Sequence, residues 1–389
     1  MTFYSEPREG TPPLTSSLTA GRRAVAALAK GHGPFAIDTE RAATFRYSSR
    51  AYLIQIKREG SGLFLLDAPA LEEIMGELAE VLATDMWILH AVDQDLPCLH
   101  MDGLEAPKVY DTQVAAQLLG REHVSLQAVL QSELGIDIAK DHANSDWSKR
   151  PLQDSLLSYA ALDVEFLIEL ERELTARVEE AGRMRWLEEE CEHLRLSPDP
   201  EPRPDPWRRS AKREKIDDPR ALGMARELWE VRDEVAKDAD LAPLKIIRDN
   251  DLAHLAATKP RSAADVRHRV RGRAGRYARE FWEAIDTAWH LDEDELPSPK
   301  PAEGRPRPQR WERKYPDAAK RWNIVRPAVL ARADELGIRQ EVLMRPAHQQ
   351  ELAWRGWSSV MDATEKLLAA GARPWQIEEV LTQLPRSSR

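Results

Sequence analysis

Two carboxylates separated by one residue, Asp38 and Glu40 in Phe35–Ala36–Ile37–Asp38–Thr39–Glu40, have the types and spacing that most directly imply chemistry. The three apolar residues before them read as the inner part of a buried strand. Alternate side chains of a strand share a face, so Asp38 and Glu40 point the same way. Carboxylates crowded on one face raise each other's pKa unless a cation lies between them. Hard divalent cations such as Mg²⁺ or Mn²⁺ take oxygen ligands, so the pair implies a metal site at a strand end if the chain supplies more acids. A strand running into a polar turn would leave the same three letters.

The chain does supply them. Asp95 follows the apolar, strand-like Met86–His90 by about one turn and lies at a helix start. Asp93 is as well placed by spacing, and the helix dipole favours a carboxylate there in any protein. Tyr159 and Asp163, four apart in a helical stretch from Gln153 to Glu180, share one helix face. A phenol one turn from a carboxylate can orient a water on the metal that the carboxylate binds. His90 ends the fourth strand, where a structural histidine is the plainer reading. Trp147 and Arg150 could stack on a base or hold a phosphate, with loop packing as the alternative.

In this order, Asp38 and Glu40 in DTE, Asp95 in HAVDQDL, and Tyr159 with Asp163 in YAALD resemble the three exonuclease motifs of the DEDDy 3′→5′ exonucleases. The likeness is greatest to bacterial ribonuclease D. It extends through Val109–Gln113 (VYDTQ) and Ser145–Leu152 (SDWSKRPL), and it selects Asp95 over Asp93. The resemblance implies two divalent ions, Mg²⁺ or Mn²⁺, with Asp38 bridging them. Glu40 and Asp163 would complete the site of the attacking water, Asp95 would support the second ion through its water shell, and Tyr159 would orient the nucleophile. Two metals about 3.5–4 Å apart stabilise both the attacking and the leaving oxygen of a phosphodiester. The implied activity is 3′→5′ exoribonuclease release of nucleoside 5′-monophosphates, with tRNA precursors or other structured RNA 3′ ends as substrate. A DNA 3′→5′ exonuclease would use the same acids. An RNA-binding scaffold with a decayed site is the non-enzymatic alternative, and the presence of all five motif residues argues against it. Arg41 and Ala42 follow DTE where ribonuclease D usually has an aromatic or apolar residue, which bears on substrate contacts and not on the metal ligands.

The elements that must position these residues follow from hydrophobic patterning. Phe35–Glu40, Ala51–Lys57 and Leu63–Asp67 read as an antiparallel meander, followed by helix, strand (Met86–His90), helix, strand (Lys108–Asp111) and further helices. That order is a mixed α/β sheet with helices on its faces, ribonuclease H-like by the resemblance. Residues 1–20 read as a loose arm. By the resemblance to ribonuclease D, the expected division is an exonuclease domain over 1–195, a proline-rich linker over 196–215, a helical segment over 216–296 that resembles the HRDC domain, a second linker over 297–316 and a second HRDC-like helical bundle over 317–389. An arginine-rich helix in the HRDC-like segment, with Arg269, Arg271, Arg273 and Arg276, could neutralise phosphates or form a solvated charged face.

Composition bounds the rest. A chain of 389 residues, 42% hydrophobic and 31% charged, is long enough for two or three domains and has no apolar run long enough to span a membrane. A net charge of −10 argues against nucleic acid only on average, because seven arginines between 261 and 280 face just Asp265 and Glu280. The N-terminus lacks the pattern of a signal peptide and the two cysteines are far apart, so a cytoplasmic protein is expected, with a monomer favoured.

Overall fold

In a computed structural model describing residues 1–139, 145–199, 203–299 and 305–388, the chain opens with β1 (Thr2–Tyr4), β2 (Leu14–Thr15) and α1 (Leu18–Lys30). Then come β3 (His32–Arg41), β4 (Ala51–Glu59), β5 (Gly62–Leu66) and α2 (Met75–Leu82). β6 (Trp87–Leu89), α3 (Val92–Met101), β7 (Val109–Asp111), α4 (Thr112–Leu118), α5 (Leu126–Leu134) and β8 (Ile136–Ile138) follow. Three helices close this part: α6 (Asp154–Glu165), α7 (Leu167–Glu180) and α8 (Met184–Leu196).

The main sheet has the order β2–β5–β4–β3–β6–β7. β3, β4 and β5 form the antiparallel meander, while β6 and β7 add in parallel on the other side of β3. β3 is therefore central, and Phe35, Ala36 and Ile37 are completely buried between helical layers on both faces. A strand covered on both sides needs such a continuous apolar run. The mixed α/β architecture matches the sequence expectation.

Three local expectations need correction. Residues 1–20 are not a loose arm: β1 pairs in parallel with β8, β2 pairs with β5, and Arg8 bonds Glu169 at 2.6 Å. The helix expected over Gln153–Glu180 is two helices, because the backbone leaves helical geometry at Phe166 (φ −111°, ψ 2°), whose buried ring packs 4.9 Å from that of Tyr4.

Beyond α8 lie α9 (Arg208–Arg213), α10 (Pro219–Asp238), α11 (Pro243–Ile246), α12 (Asp249–Ala257), α13 (Ala263–Arg269) and α14 (Ala278–His290). The arginine-rich segment is not one helix either. Val270 turns into the core with extended geometry, Gly272 takes φ +61°, and a short 3₁₀ stretch over Gly272–Tyr277 leads into α14. A left-handed residue interrupts α-helical hydrogen bonding, and glycine adopts it without strain. The chain ends with α15 (Trp311–Lys314), α16 (Pro316–Leu336), α17 (Gln340–Leu343), α18 (Pro346–Arg355), α19 (Val360–Ala369) and α20 (Pro374–Leu381).

The buried apolar side chains separate unevenly. Those of α10–α14 form a core of their own, whereas those of α15–α20 are continuous with the core around the sheet. Trp186 of α8 stacks on Trp375 of α20 with centroids 4.5 Å apart. Beneath them the Glu190 carboxylate accepts from Arg373 Nε at 2.7 Å, Trp375 Nε1 at 2.9 Å and Gln376 Nε2 at 3.1 Å. Arg183, just before α8, reaches across to the Leu336 carbonyl at 2.6 Å. The middle bundle is instead held by the β3–β4 loop: Tyr47 donates to Asp233 at 2.7 Å and Ala242 N donates to the Phe45 carbonyl at 3.1 Å.

Candidate active site

The site is built at the C-terminal half of β3. Strand alternation carries Asp38 and Glu40 to one face, and α6 lies across β3 and β4 so that Asp163 meets them. Ligand oxygens of Asp38, Glu40 and Asp163 all lie within 4.8 Å of one another. α6 is fixed there from its far end, where Lys57 of β4 donates to the Glu165 carbonyl at 2.7 Å and pairs with its carboxylate at 2.9 Å.

Asp95 stands apart from this trio. It lies in the first turn of α3, 4% exposed, and accepts from the Thr39 hydroxyl at 2.6 Å. Thr39 points to the opposite face from its two neighbours, so the DTE triplet places two acids directly and reaches the third through its middle residue. Asp95 is still close enough that its charge acts on Asp38, Glu40 and Asp163.

The four acids carry too little compensating charge among the described residues. Asp38 accepts from Gln55 Nε2 at 3.2 Å, and Arg41 is the cation whose charge reaches Glu40 and Asp95. Burial, with the neighbouring carboxylates second, holds the Asp38 and Glu40 carboxyls well above the usual range. Burial likewise pushes Asp95 up to about 6 and Asp163 up to about 7. This donor set, oxygen-only, crowded and short of positive charge, fits a divalent cation. Tyr159 hydrogen-bonds Asp163, and burial together with that carboxylate's charge raises its phenol well above 10. The ring rests in a small cluster under the cleft, its centroid 6.4 Å from that of Trp147.

Other sequence-derived candidates fall elsewhere. Trp147 is fully buried, which removes it from base stacking. All five N–H groups of Arg150 are committed: two to Asp67 at 2.6 and 2.7 Å, and the rest to the carbonyls of Trp147, Lys149 and Tyr52. Both residues brace the loop that supports Tyr159 and are not free for nucleic acid. His90 lies on the β7 side of the sheet, where its Nδ1 contacts the Thr112 hydroxyl at 2.8 Å, its buried Nε2 has no hydrogen-bond partner, and burial lowers its pKa to about 4. Arg269, Arg271, Arg273 and Arg276 are exposed; the first three edge a cavity of about 460 Å³ floored by Ile247, Leu255 and Val270.

Sequence reasoning missed three supporting residues. Gln55 is a fully buried polar residue that interrupts the apolar run of β4 opposite Asp38, and that interruption was its signal. Thr39 carried none beyond its place between two acids. Asp111 takes four backbone N–H groups, from Ala91, Val92, Gln113 and Val114, and so fixes the starts of both α3 and α4. An aspartate ending a strand before a helix is a capping signal and hid this wider role.

Comparisons with known proteins bear on the same region. Residues 18–179 match a family model described as a 3′-5′ exonuclease, residues 221–285 an HRDC domain, and residues 304–387 a 3′ to 5′ exonuclease C-terminal domain. A ribonuclease D from Pseudomonas paraeruginosa is 32% identical over 282 residues, covering 70% of this chain and 74% of the relative. A ribonuclease D from Gluconacetobacter diazotrophicus is 32% identical over 232 residues, 57% of this chain and 58% of its own length. A crystal structure of a protein from Bifidobacterium adolescentis superposes with a TM-score of 0.88 at 33% identity, covering 98% of both chains.

Proposed function

The chain belongs to the ribonuclease D family, and from that premise we propose that it is a metal-dependent 3′→5′ exoribonuclease acting on structured RNA 3′ ends such as tRNA precursors. The observation that carries the proposal is the convergence of Asp38, Glu40 and Asp163 within 4.8 Å in a site short of positive charge. Asp38, Glu40 and Asp163 would hold a pair of Mg²⁺ or Mn²⁺ ions, with Asp95 supporting from the Thr39 side. Such ions, when bound, supply Lewis acidity to the phosphodiester and a lowered pKa to a bound water.

The chain's own residues do the positioning. Asp38 is steadied by Gln55, Asp95 by Thr39, and Asp163 by Tyr159 and by the anchoring of α6 on Lys57. Because its phenol is pushed upward, Tyr159 stays protonated near neutral pH and acts as a hydrogen-bond donor that orients the nucleophile, not as a base. The exposed arginines of the middle bundle suit the phosphates of the retained RNA. Both cysteines are free and buried, which supports a reducing compartment such as the cytoplasm. Among the described residues no helix is long and apolar enough to cross a membrane.

The test is release of nucleoside 5′-monophosphates from an RNA 3′ end in Mn²⁺, with matched DNA alongside. Asp38→Ala and Asp163→Asn are expected to abolish it with the fold retained by circular dichroism. Full activity in either variant would overturn the assignment of the site. Degradation confined to DNA would replace the RNA reading.

A further inference from the structure

Arg41 directly follows the two acids of β3, and the structure shows which groups feel its charge. It ends β3 directly after Glu40, at a register shift: Glu40 pairs with Leu53 but Arg41 with Ala51. Its positive charge acts on Asp95 and Cys98 as well as on Glu40. Asp95 and Cys98 both contact the Thr39 hydroxyl, at 2.6 and 3.1 Å, so the charge of Arg41 is felt on the Thr39–Asp95 side of the site. Its side chain is half-buried, and among the described residues its guanidinium has no hydrogen-bond or ion-pair partner within contact distance.

That combination is unusual on this molecule. Arg46, Arg50, Arg58 and Arg150, on the loop after Arg41 or on neighbouring strands and loops, each hold at least one carboxylate, hydroxyl or carbonyl through their guanidinium N–H groups, although Arg50 Nε is left without a partner. A guanidinium whose charge reaches Glu40 and Asp95 would ordinarily collapse onto one of them. Held off them at a strand end, it presents a planar fork suited to the two free oxygens of a phosphodiester. The water-holding acids lie on the Asp163 side in the proposed mechanism, so the leaving oxygen and the RNA strand that remains after cleavage lie on the Asp95 side.

We propose that Arg41 binds a backbone phosphate of the retained strand, next to the scissile linkage, and so sets the register in which the 3′-terminal nucleotide enters. This rests on the exonuclease reading above. It implies that the substrate must offer an unpaired 3′ tail, because a phosphate so close to the acids is reached only by a strand separated from its complement.

The experiment scans a single uncharged methylphosphonate through the first three retained linkages of an RNA oligonucleotide. Wild type should lose about 10- to 100-fold in kcat/KM at one of those positions, the worth of a charge-assisted contact. Arg41→Ala should lose a similar factor on unmodified RNA, mainly in KM, and its methylphosphonate penalty at that position should fall to near unity. Arg41→Lys should recover part of both. If Arg41 merely offsets the acids' charge, Arg41→Ala will alter Mn²⁺ affinity in a titration without RNA and leave every methylphosphonate penalty intact; that result overturns the inference. A wild-type protein inactive on all RNA would instead sink the exonuclease reading, so the two failures are distinguishable.

Discussion

At the scale of single residues, the acids of the cleft are uncomfortable without metal, and this has a measurable sign. Asp163 and Asp95 titrate near 7 and 6 in the fold, above the usual carboxylate value, chiefly through burial. The folded chain therefore retains protons that the unfolded chain has already released between about pH 4 and pH 7, and stability falls as pH rises across that window. Metal-free protein is expected to melt at a higher temperature at pH 5 than at pH 8, with Mn²⁺ restoring the loss at pH 8. Asp163→Asn should stabilise the metal-free form at pH 8 by about 1–3 kcal/mol, the cost of a poorly compensated buried charge. Thermal melts with and without chelator check both. Much of this site was legible beforehand, because Asp38, Glu40, Tyr159 and Asp163 sit at spacings set by strand and helix periodicity. The Asp95–Thr39 bond was not, since local spacing says nothing about which turn of α3 meets β3.

At the scale of elements, α3 is placed by a strained junction. Ala91 takes φ +65°, a left-handed conformation that costs an ordinary L-residue about 1–2 kcal/mol. The buried Asp111 carboxylate holds it there through the amides of Ala91 and Val92 at 3.1 and 2.9 Å. Asp111→Ala is expected to cost about 3 kcal/mol by leaving buried N–H groups unpaired, and to reduce activity by letting Asp95 drift. Ala91→Gly relieves the strain and should be neutral or stabilising by up to about 1 kcal/mol with activity kept. Chemical denaturation beside the exonuclease assay separates the two. The meander and parallel strands were readable from apolar runs. β1, β8, the break at Phe166 and the interrupted arginine segment were not, because each depends on a distant partner: β1 on β8, Phe166 on Tyr4, Val270 on the middle core.

At the scale of the whole molecule, the α15–α20 helices share the sheet's core while the α10–α14 bundle keeps its own. Calorimetry should accordingly show the exonuclease half and the C-terminal helices unfolding together, with the middle bundle in a separate transition. Trp375→Ala, which removes the stack on Trp186, should lower the joint transition by about 3–5 kcal/mol and leave the other in place. A single transition for all three would contradict this. Proline-rich stretches flag connections in a sequence, but they cannot show which side of a connection a helix will pack on.

The uneven sharing of cores also governs how the polypeptide can be cut. Removing everything after α14 would strip Trp186 and Glu190 of the side chains that cover them, leaving an oily scar on the catalytic half. Excising the α9–α14 bundle and rejoining the ends with a flexible spacer would leave the larger core whole. In that sense the bundle is a guest threaded into a single host fold, and a nuclease shortened from its tail is a poorer starting point than one with its middle spliced out.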